Sequence, residues 1–172
     1  MNKTKKTAGR LLGMLALVML AIASFTLTSC DDDDDVVSIN KQWFTTAGAY
    51  FDDSEADLYY QYVLIDFTNP TEITVGISLT AKGVKEIEEE SGLKLQAGVF
   101  YKEESMEASV TLNPDGTSGT ITSEGAEVPF KNLTAKSVTL TLNDGDTPRN
   151  LTLIASKKKI AMVEIPETAE DK

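Results

Sequence analysis

The stretch Glu72 to Thr80, EITVGISLT, alternates without a break: Ile73, Val75, Ile77 and Leu79 fall on one side, Thr74, Gly76, Ser78 and Thr80 on the other. A period of two belongs to a β-strand, and one apolar face backed by one polar face belongs to a half-buried antiparallel strand. Similar segments recur along the chain. Lys41 to Ala47 (KQWFTTA) and Leu58 to Thr68 (LYYQYVLIDFT) are rich in β-branched and aromatic residues, and Asn69-Pro70 punctuates the second with a turn. Leu93, Leu95, Ala97, Val99 and Tyr101 alternate, and so do Ala108, Val110 and Leu112. Asn113-Pro114-Asp115-Gly116 then carries proline second and glycine fourth, which suits a type I turn in a four-residue hairpin loop leading to Gly119 and Ile121. Val138, Leu140 and Leu142, the polar loop NDGDTPRN, and Leu151, Leu153 and Ala155 form a second such pair, and Lys159 to Glu164 a last strand.

One segment breaks the period. In Lys82 to Ser91 (KGVKEIEEES), Val84 and Ile87 stand three apart, while Lys82–Glu86 and Lys85–Glu89 stand four apart. This spacing predicts a short surface helix ended by Gly92, with its charges on a solvated face. The whole pattern predicts an all-β protein: a single antiparallel up-and-down β-barrel of about eight strands with one short helix, on turn spacings of about 8 to 12 residues. A β-sandwich is the alternative; the run of local hairpins favours the barrel.

The first 29 residues do not belong to this domain. Lys3, Lys5, Lys6 and Arg10 precede an apolar stretch from Leu11 to Phe25, about 15 residues where a bilayer span needs roughly 20. Basic start, short apolar middle and small residues at the end read as a secretory signal peptide over 1–29. Cys30, the single cysteine, follows at once and has no second cysteine to pair with. The five aspartates Asp31 to Asp35 repel one another and stay extended, so residues 30–39 read as an acidic tether, 40–165 as the β domain and 166–172 as a polar tail.

Charge and composition then remove whole classes of function. The signal holds four of the 16 basic residues and no acid, so the chain from Cys30 onward sets 12 basic residues against 27 acidic ones, a net charge of −15. That balance excludes a nucleic-acid partner, whose binding runs on Lys and Arg neutralising phosphates. It also disfavours adsorption to an anionic membrane. With no histidine in the chain, Ser-His-Asp and Cys-His catalysis and histidine-bound zinc are absent. The residues call for no cofactor and no metal, and the protein reads as non-catalytic.

The best carboxylate group for an enzyme or a calcium site is Asp52, Asp53, Glu55 and Asp57, but it lacks the glycine turn and terminal glutamate of a calcium loop and reads first as solvated loop acids. Asn143-Asp144-Gly145-Asp146 likewise reads as a turn. The aromatics Trp43, Phe44, Tyr59, Tyr60, Tyr62 and Phe67 are a different matter, because a small barrel can enclose one apolar ligand. Trp43, Tyr60 and Tyr62 are the candidate ligand-binding residues, against the alternative that the aromatics fill the core.

Leu27-Thr28-Ser29-Cys30 resembles the lipobox of bacterial lipoproteins. The resemblance implies cleavage before Cys30, a thioether from its sulfur to diacylglycerol, and acylation of the new amino group. The aspartate run resembles the acidic segment behind the cysteine of surface-exposed Bacteroidetes lipoproteins, which implies the outer membrane and its outer face; an aspartate directly after the cysteine leaves a periplasm-facing envelope lipoprotein as the alternative. Lys41-Gln42-Trp43, Asn113 to Thr120 (NPDGTSGT) and Phe130-Lys131-Asn132-Leu133-Thr134 with Ser137 to Leu142 (SVTLTL) together resemble lipocalin-like lipoproteins of the Bacteroidetes. That resemblance implies an eight-stranded barrel with Trp43 closing one end. The expected function is a membrane-anchored binding module for a small apolar or aromatic ligand, or alternatively a surface accessory protein docking an envelope protein or a glycan.

Overall fold

A computed structural model describes residues 36–143 and 147–166. Residues 1–29 with the expected signal peptide, Cys30, Asp31 to Asp35, Asp144 to Asp146 and residues 167–172 lie outside the described residues. The elements run β1 (Gln42–Thr46), α1 (Ala47–Phe51), α2 (Ala56–Tyr59), β2 (Tyr60–Asp66), β3 (Glu72–Leu79), α3 (Ala81–Ser91), β4 (Phe100–Leu112), β5 (Gly119–Ser123), β6 (Ala126–Lys131), β7 (Ser137–Leu142), β8 (Arg149–Ala155) and β9 (Met162–Glu164). From β1 to β8 each strand pairs antiparallel with its neighbour in sequence, and β8 returns to β1 through Trp43↔Ala155 and Phe44↔Ile154. The fold is therefore a closed eight-stranded up-and-down barrel, and the sandwich is set aside. β9 is an extra strand, lying parallel to Phe100–Lys102 of β4.

The alternating apolar residues meet inside. Cross-strand neighbours share a face, and the register lines up Trp43 with Ile65, Ile65 with Val75, Val110 with Ile121, and Val138 with Leu153. Trp43, Val63, Ile65, Phe67, Ile73, Ile121, Phe130, Leu133, Val138, Leu140, Leu151 and Leu153 form one buried cluster. Trp43 is 0% exposed, and its indole Nε1 donates to the Ile39 carbonyl at 2.8 Å, so the N-terminal end of the barrel is plugged with its polar atom satisfied. Gly119 is required opposite Phe130: a Cβ there would lie 2.6 Å from Phe130 Cζ and 2.2 Å from the Thr111 carbonyl.

The outside of β1–β3 is covered too. Leu64 faces away from the lumen between Phe44 and Gly76 in register, yet is 0% exposed. The segment leading to β9 crosses here. Gln42 Nε2 donates to the Ile160 carbonyl at 2.9 Å and to Asp66 Oδ2 at 2.6 Å, while Gln42 Oε1 accepts from the Ile160 N–H at 2.6 Å. Met162 then sits over Gly76, where a Cβ would come 2.6 Å from its sulfur.

Several boundaries differ from the sequence expectation, each for a local reason. Two further short helices follow β1: Thr46 caps α1 by accepting from Ala49 N, and Asp52 ends it in the left-handed region at φ 54°. Leu58 and Tyr59 leave the expected strand because the Thr80 hydroxyl and N–H engage their carbonyls; Thr80 Oγ1 lies 2.7 Å from Leu58 O. The predicted helix is present as α3, capped by Thr80 and ended by Gly92 in the left-handed region. The alternation from Leu93 does not make a strand before Phe100; Gly98 turns at φ 75° and donates to the Leu79 carbonyl. β4 instead continues unbroken through Leu112. β6 escapes a sequence reading because Pro129 argues against a strand. It pairs with β7 only at Phe130 and Lys131, past the proline that lacks a donor. Among the described residues no helix is long and apolar enough to cross a membrane.

Two measurements test this packing. Gly83, in the first turn of α3, faces Tyr59 of α2 so closely that a Cβ would lie 2.0 Å from the Tyr59 carbonyl. Alanine in a helix is normally worth up to about 1 kcal/mol over glycine, yet overpacking here should make Gly83→Ala less stable by about 1–3 kcal/mol in urea denaturation; a more stable variant would refute the α2–α3 contact.

The second concerns the 113–118 loop, where Gly116 N closes the turn on Asn113 O and Asp115 Oδ1 accepts from the backbone N–H groups of Thr117 and Ser118 at 2.7 and 2.8 Å. The Ser118 hydroxyl, together with these N–H groups, lowers the Asp115 pKa below its ordinary 3.8. A depressed folded pKa means the loop's contribution is complete above the unfolded value and is lost as pH falls through the folded one. Carboxyl-carbon NMR titration should find Asp115 below the ordinary value, with Thr117 and Ser118 amide shifts following the same curve.

Candidate functional site

The barrel lumen holds no room for a ligand at its Trp43 end; the opening lies at the other end, beneath α1 and α2. A cleft of about 590 Å³ is bounded there by Tyr50, Phe51, Tyr59 and Tyr60, by Asp53 and Glu55, and by Val75, Ile77, Glu103, Glu104 and Met106. The wall is built by short-range geometry. Thr46 starts α1 directly off the end of β1, which carries Tyr50 and Phe51 over the mouth. Arg149 at the start of β8 donates from Nη1 to the Ala49 carbonyl and from Nη2 to that of Tyr50, at 2.9 Å for the latter, so α1 is held at its C-terminal end, where a cation suits the exposed carbonyls. Asp57 closes the α1–α2 pair by accepting from Gly48 N at 2.6 Å.

Two β-bulges select the side chains that reach the cleft. Between β2 and β3 the register passes from Tyr60↔Leu79 to Tyr62↔Ser78, leaving Gln61 without an opposite partner. Residues two apart ordinarily share a face, but the extra residue turns Tyr60 into the mouth and leaves Tyr62 outside. Between β3 and β4, Val75↔Glu104 gives way to Gly76↔Lys102, so Glu103 is the extra residue and both consecutive glutamates border the cleft.

The rings form a connected wall. Tyr50 and Phe51 meet edge to face at 5.1 Å and 87°, and Phe51 meets Tyr60 at 5.6 Å and 44°. Phe51 is 43% exposed, unusually open for a phenylalanine, and Tyr50, Tyr59 and Tyr60 are half-buried. Asp53, Glu55, Glu103 and Glu104 are all exposed around this wall. Among the described residues no three acidic side chains gather closely enough to hold a metal ion. The arrangement offers aromatic faces and diffuse negative charge.

Of the three candidate ligand-binding residues, the structure places only Tyr60 in this cleft. Trp43 is sealed in the core at the plugged end. Tyr62 lies on the outer surface, 36% exposed, with its ring edge-on to Phe44 at 5.8 Å. Of the remaining aromatics, Tyr59 joins the cleft while Phe67 is core. Sequence reasoning missed Tyr50, Phe51, Glu103 and Glu104; the run Ala49-Tyr50-Phe51 just past a strand was the available signal. The acidic group after Phe51 divides: Asp53 and Glu55 face the cleft, Asp57 holds α1, and Asp52 serves as a helix end.

A second groove, of about 670 Å³, lies where β4 passes from β3 to β5, between Thr71, Glu72, Ser105, Glu107, Thr122 and Glu124. Although larger, it is lined chiefly by hydroxyls and carboxylates and lacks aromatic walls, so the mouth cleft has the stronger binding chemistry. Comparison of the chain with protein-family models, curated proteins and solved structures finds no match.

The packing of Trp43 gives a direct check. Its emission should be blue-shifted and resist iodide quenching, and Trp43→Ala should cost about 3–5 kcal/mol in denaturant unfolding. Emission typical of a solvent-exposed indole would contradict the plugged end.

Proposed function

We propose that this protein is a membrane-anchored envelope lipoprotein whose barrel is a non-catalytic binding module for a small apolar or aromatic ligand. The single observation that carries the binding half is the contrast between the two ends: one packed solid around Trp43, the other open between Tyr50, Phe51, Tyr59 and Tyr60. Clefts with aromatic walls and a few polar groups are the usual form of a small-molecule site. Recognition thus takes place at the mouth instead of deep in the lumen.

The anchoring half rests on the N-terminal sequence. Acyl chains on Cys30, at about 0.8 kcal/mol per buried CH₂, would hold the protein to an outer membrane with more than one chain inserted. The aspartates behind it would space the domain from the lipid. Exposure on the cell surface follows the same resemblance, and the lipocalin-like lipoproteins of the Bacteroidetes remain the family we propose.

A second reading has its own observation. Phe44, Tyr62 and Ile154 lie side by side on the outer face of β2, β1 and β8, with Tyr62 and Ile154 open to solvent. Such a patch suits stacking on a sugar ring or docking an envelope protein. The surface-accessory role would use this face and leave the mouth idle.

Three variants separate these parts. Cys30→Ser should move the protein from the membrane pellet to the soluble fraction, and mass spectrometry of the unaltered protein should find the diacylglyceryl adduct on Cys30. An unmodified thiol with the leader retained would refute the anchor. In the whole chain held in maltoside micelles, a panel of apolar and aromatic compounds should shift Tyr60 and Phe51 ring resonances, and Tyr60→Ala should weaken binding by roughly tenfold, or about 1.4 kcal/mol. Tyr62→Ala should leave it unchanged. The opposite ranking would favour the outer patch.

A further inference from the structure

Resting on the mouth as a binding site, we infer that its ligand is an organic cation of the quaternary-ammonium class, a choline-type head group whose methyl groups supply the apolar surface proposed above. Four aromatic rings and four carboxylates line the cleft, and no lysine or arginine is among its lining residues. Aromatic faces are the negative side of the ring quadrupole and attract cations that shed water easily. Tyr50 and Phe51 both line the cleft, their ring planes nearly perpendicular at 87°.

One of these rings already carries a cation, from a residue that does not line the cleft. Lys82 Nζ lies 4.5 Å from the centroid of the Tyr59 ring, so a cation is accepted on a ring that also borders the cleft. The acids sort the class further. Asp53, Glu55, Glu103 and Glu104 are exposed at the rim, and among the described residues no three acidic groups converge. A metal ion or a primary ammonium needs converging oxygen atoms for its bonds; a quaternary ammonium has no N–H to satisfy and needs only rings beneath it and negative charge nearby. The two glutamates arrive together because the β4 bulge turns consecutive residues toward the mouth. Arg149 donates to the Ala49 and Tyr50 carbonyls behind the aromatic wall.

The test compares choline with 3,3-dimethylbutan-1-ol, its neutral isostere, by calorimetry and by ring-proton NMR on the whole chain in maltoside micelles. Choline should bind at least tenfold more tightly than the isostere and shift Phe51, Tyr59 and Tyr60 resonances. The Glu103→Gln/Glu104→Gln double variant should weaken choline about tenfold while leaving the isostere unaffected; both positions are exposed, and circular dichroism checks the fold. Phe51→Leu should weaken choline more than the isostere. Equal affinity for the two ligands overturns the charge assignment but leaves the mouth as a binding site. No response to choline, with apolar compounds still shifting the cleft resonances, also overturns this inference alone. Silence of the cleft toward every compound overturns both this inference and the binding site beneath it.

Discussion

Closure of the sheet between β3 and β4 is the constraint on which the other features depend. Without that pairing the strands would form an open ribbon with β3 at one edge and Trp43, Ile65 and Val75 facing water. β4 achieves closure by serving two partners in succession: its first half, through Glu107, pairs with β3, and its second half, from Ala108, pairs with β5. One 13-residue strand therefore joins the two sides of the barrel. The unpaired edge that β4 leaves at Phe100–Lys102 is taken by β9, with Lys102 and Glu164 in an ion pair at 3.1 Å. An exposed ladder edge is a liability for association, and covering it is the ordinary remedy.

The same closure explains why the two ends of the barrel differ. At the Trp43 end, large side chains from β1, β2, β6, β7 and β8 meet in a cross-section that they fill. At the other end the strands are out of step, and the two bulges next to β3 add one residue each. Bulges bend strands and re-aim side chains. Here they bring Tyr60, Glu103 and Glu104 to the rim, where α1 and α2 supply the facing wall. The cleft is thus a by-product of irregular pairing, stabilised by specific contacts: Thr46 and Arg149 on α1, Asp57 between the helices, and Thr80 and Gly83 where α2 meets α3.

How much of this the sequence disclosed follows from range. The alternation of β1, β3, β5, β7 and β8, the Asn-Pro-Asp-Gly loop and the i,i+4 helix with its Gly92 end are all local, and all were legible from neighbouring residues. The barrel itself could be argued from hairpin order. The 126–131 strand could not, because Pro129 speaks against it and only long-range pairing with β5 overrides that signal. Tyr62 shows the deeper limit. Its spacing from Tyr60 promised a shared face, and only the partner strand, whose register skips Gln61, decides otherwise. Trp43 was readable as an end plug or as a ligand wall; its 2.8 Å bond to Ile39 and full burial assign it to the plug. Tyr50, Phe51 and the glutamate pair were invisible as a group because four separate segments must fold before they are neighbours.

Charge acts at the mouth through local groups. The chain from Cys30 carries a net −15, and the rim of the cleft concentrates the same sign in four exposed carboxylates. In salt of physiological strength, a Debye length of about 8 Å limits each charged group to its immediate surroundings. What suits a cation is the local arrangement: ring faces that cost little desolvation, with exposed carboxylates on the same cleft that need not lose their own water. A neutral apolar ligand would gain from the rings alone and ignore the acids, whereas a strongly hydrated ion would find the acids too scattered to replace its water. Only a bulky, weakly hydrated cation uses both halves of the surface, and for that reason the positions of Glu103 and Glu104 beside the rings say more about the ligand than the acidity of the chain as a whole.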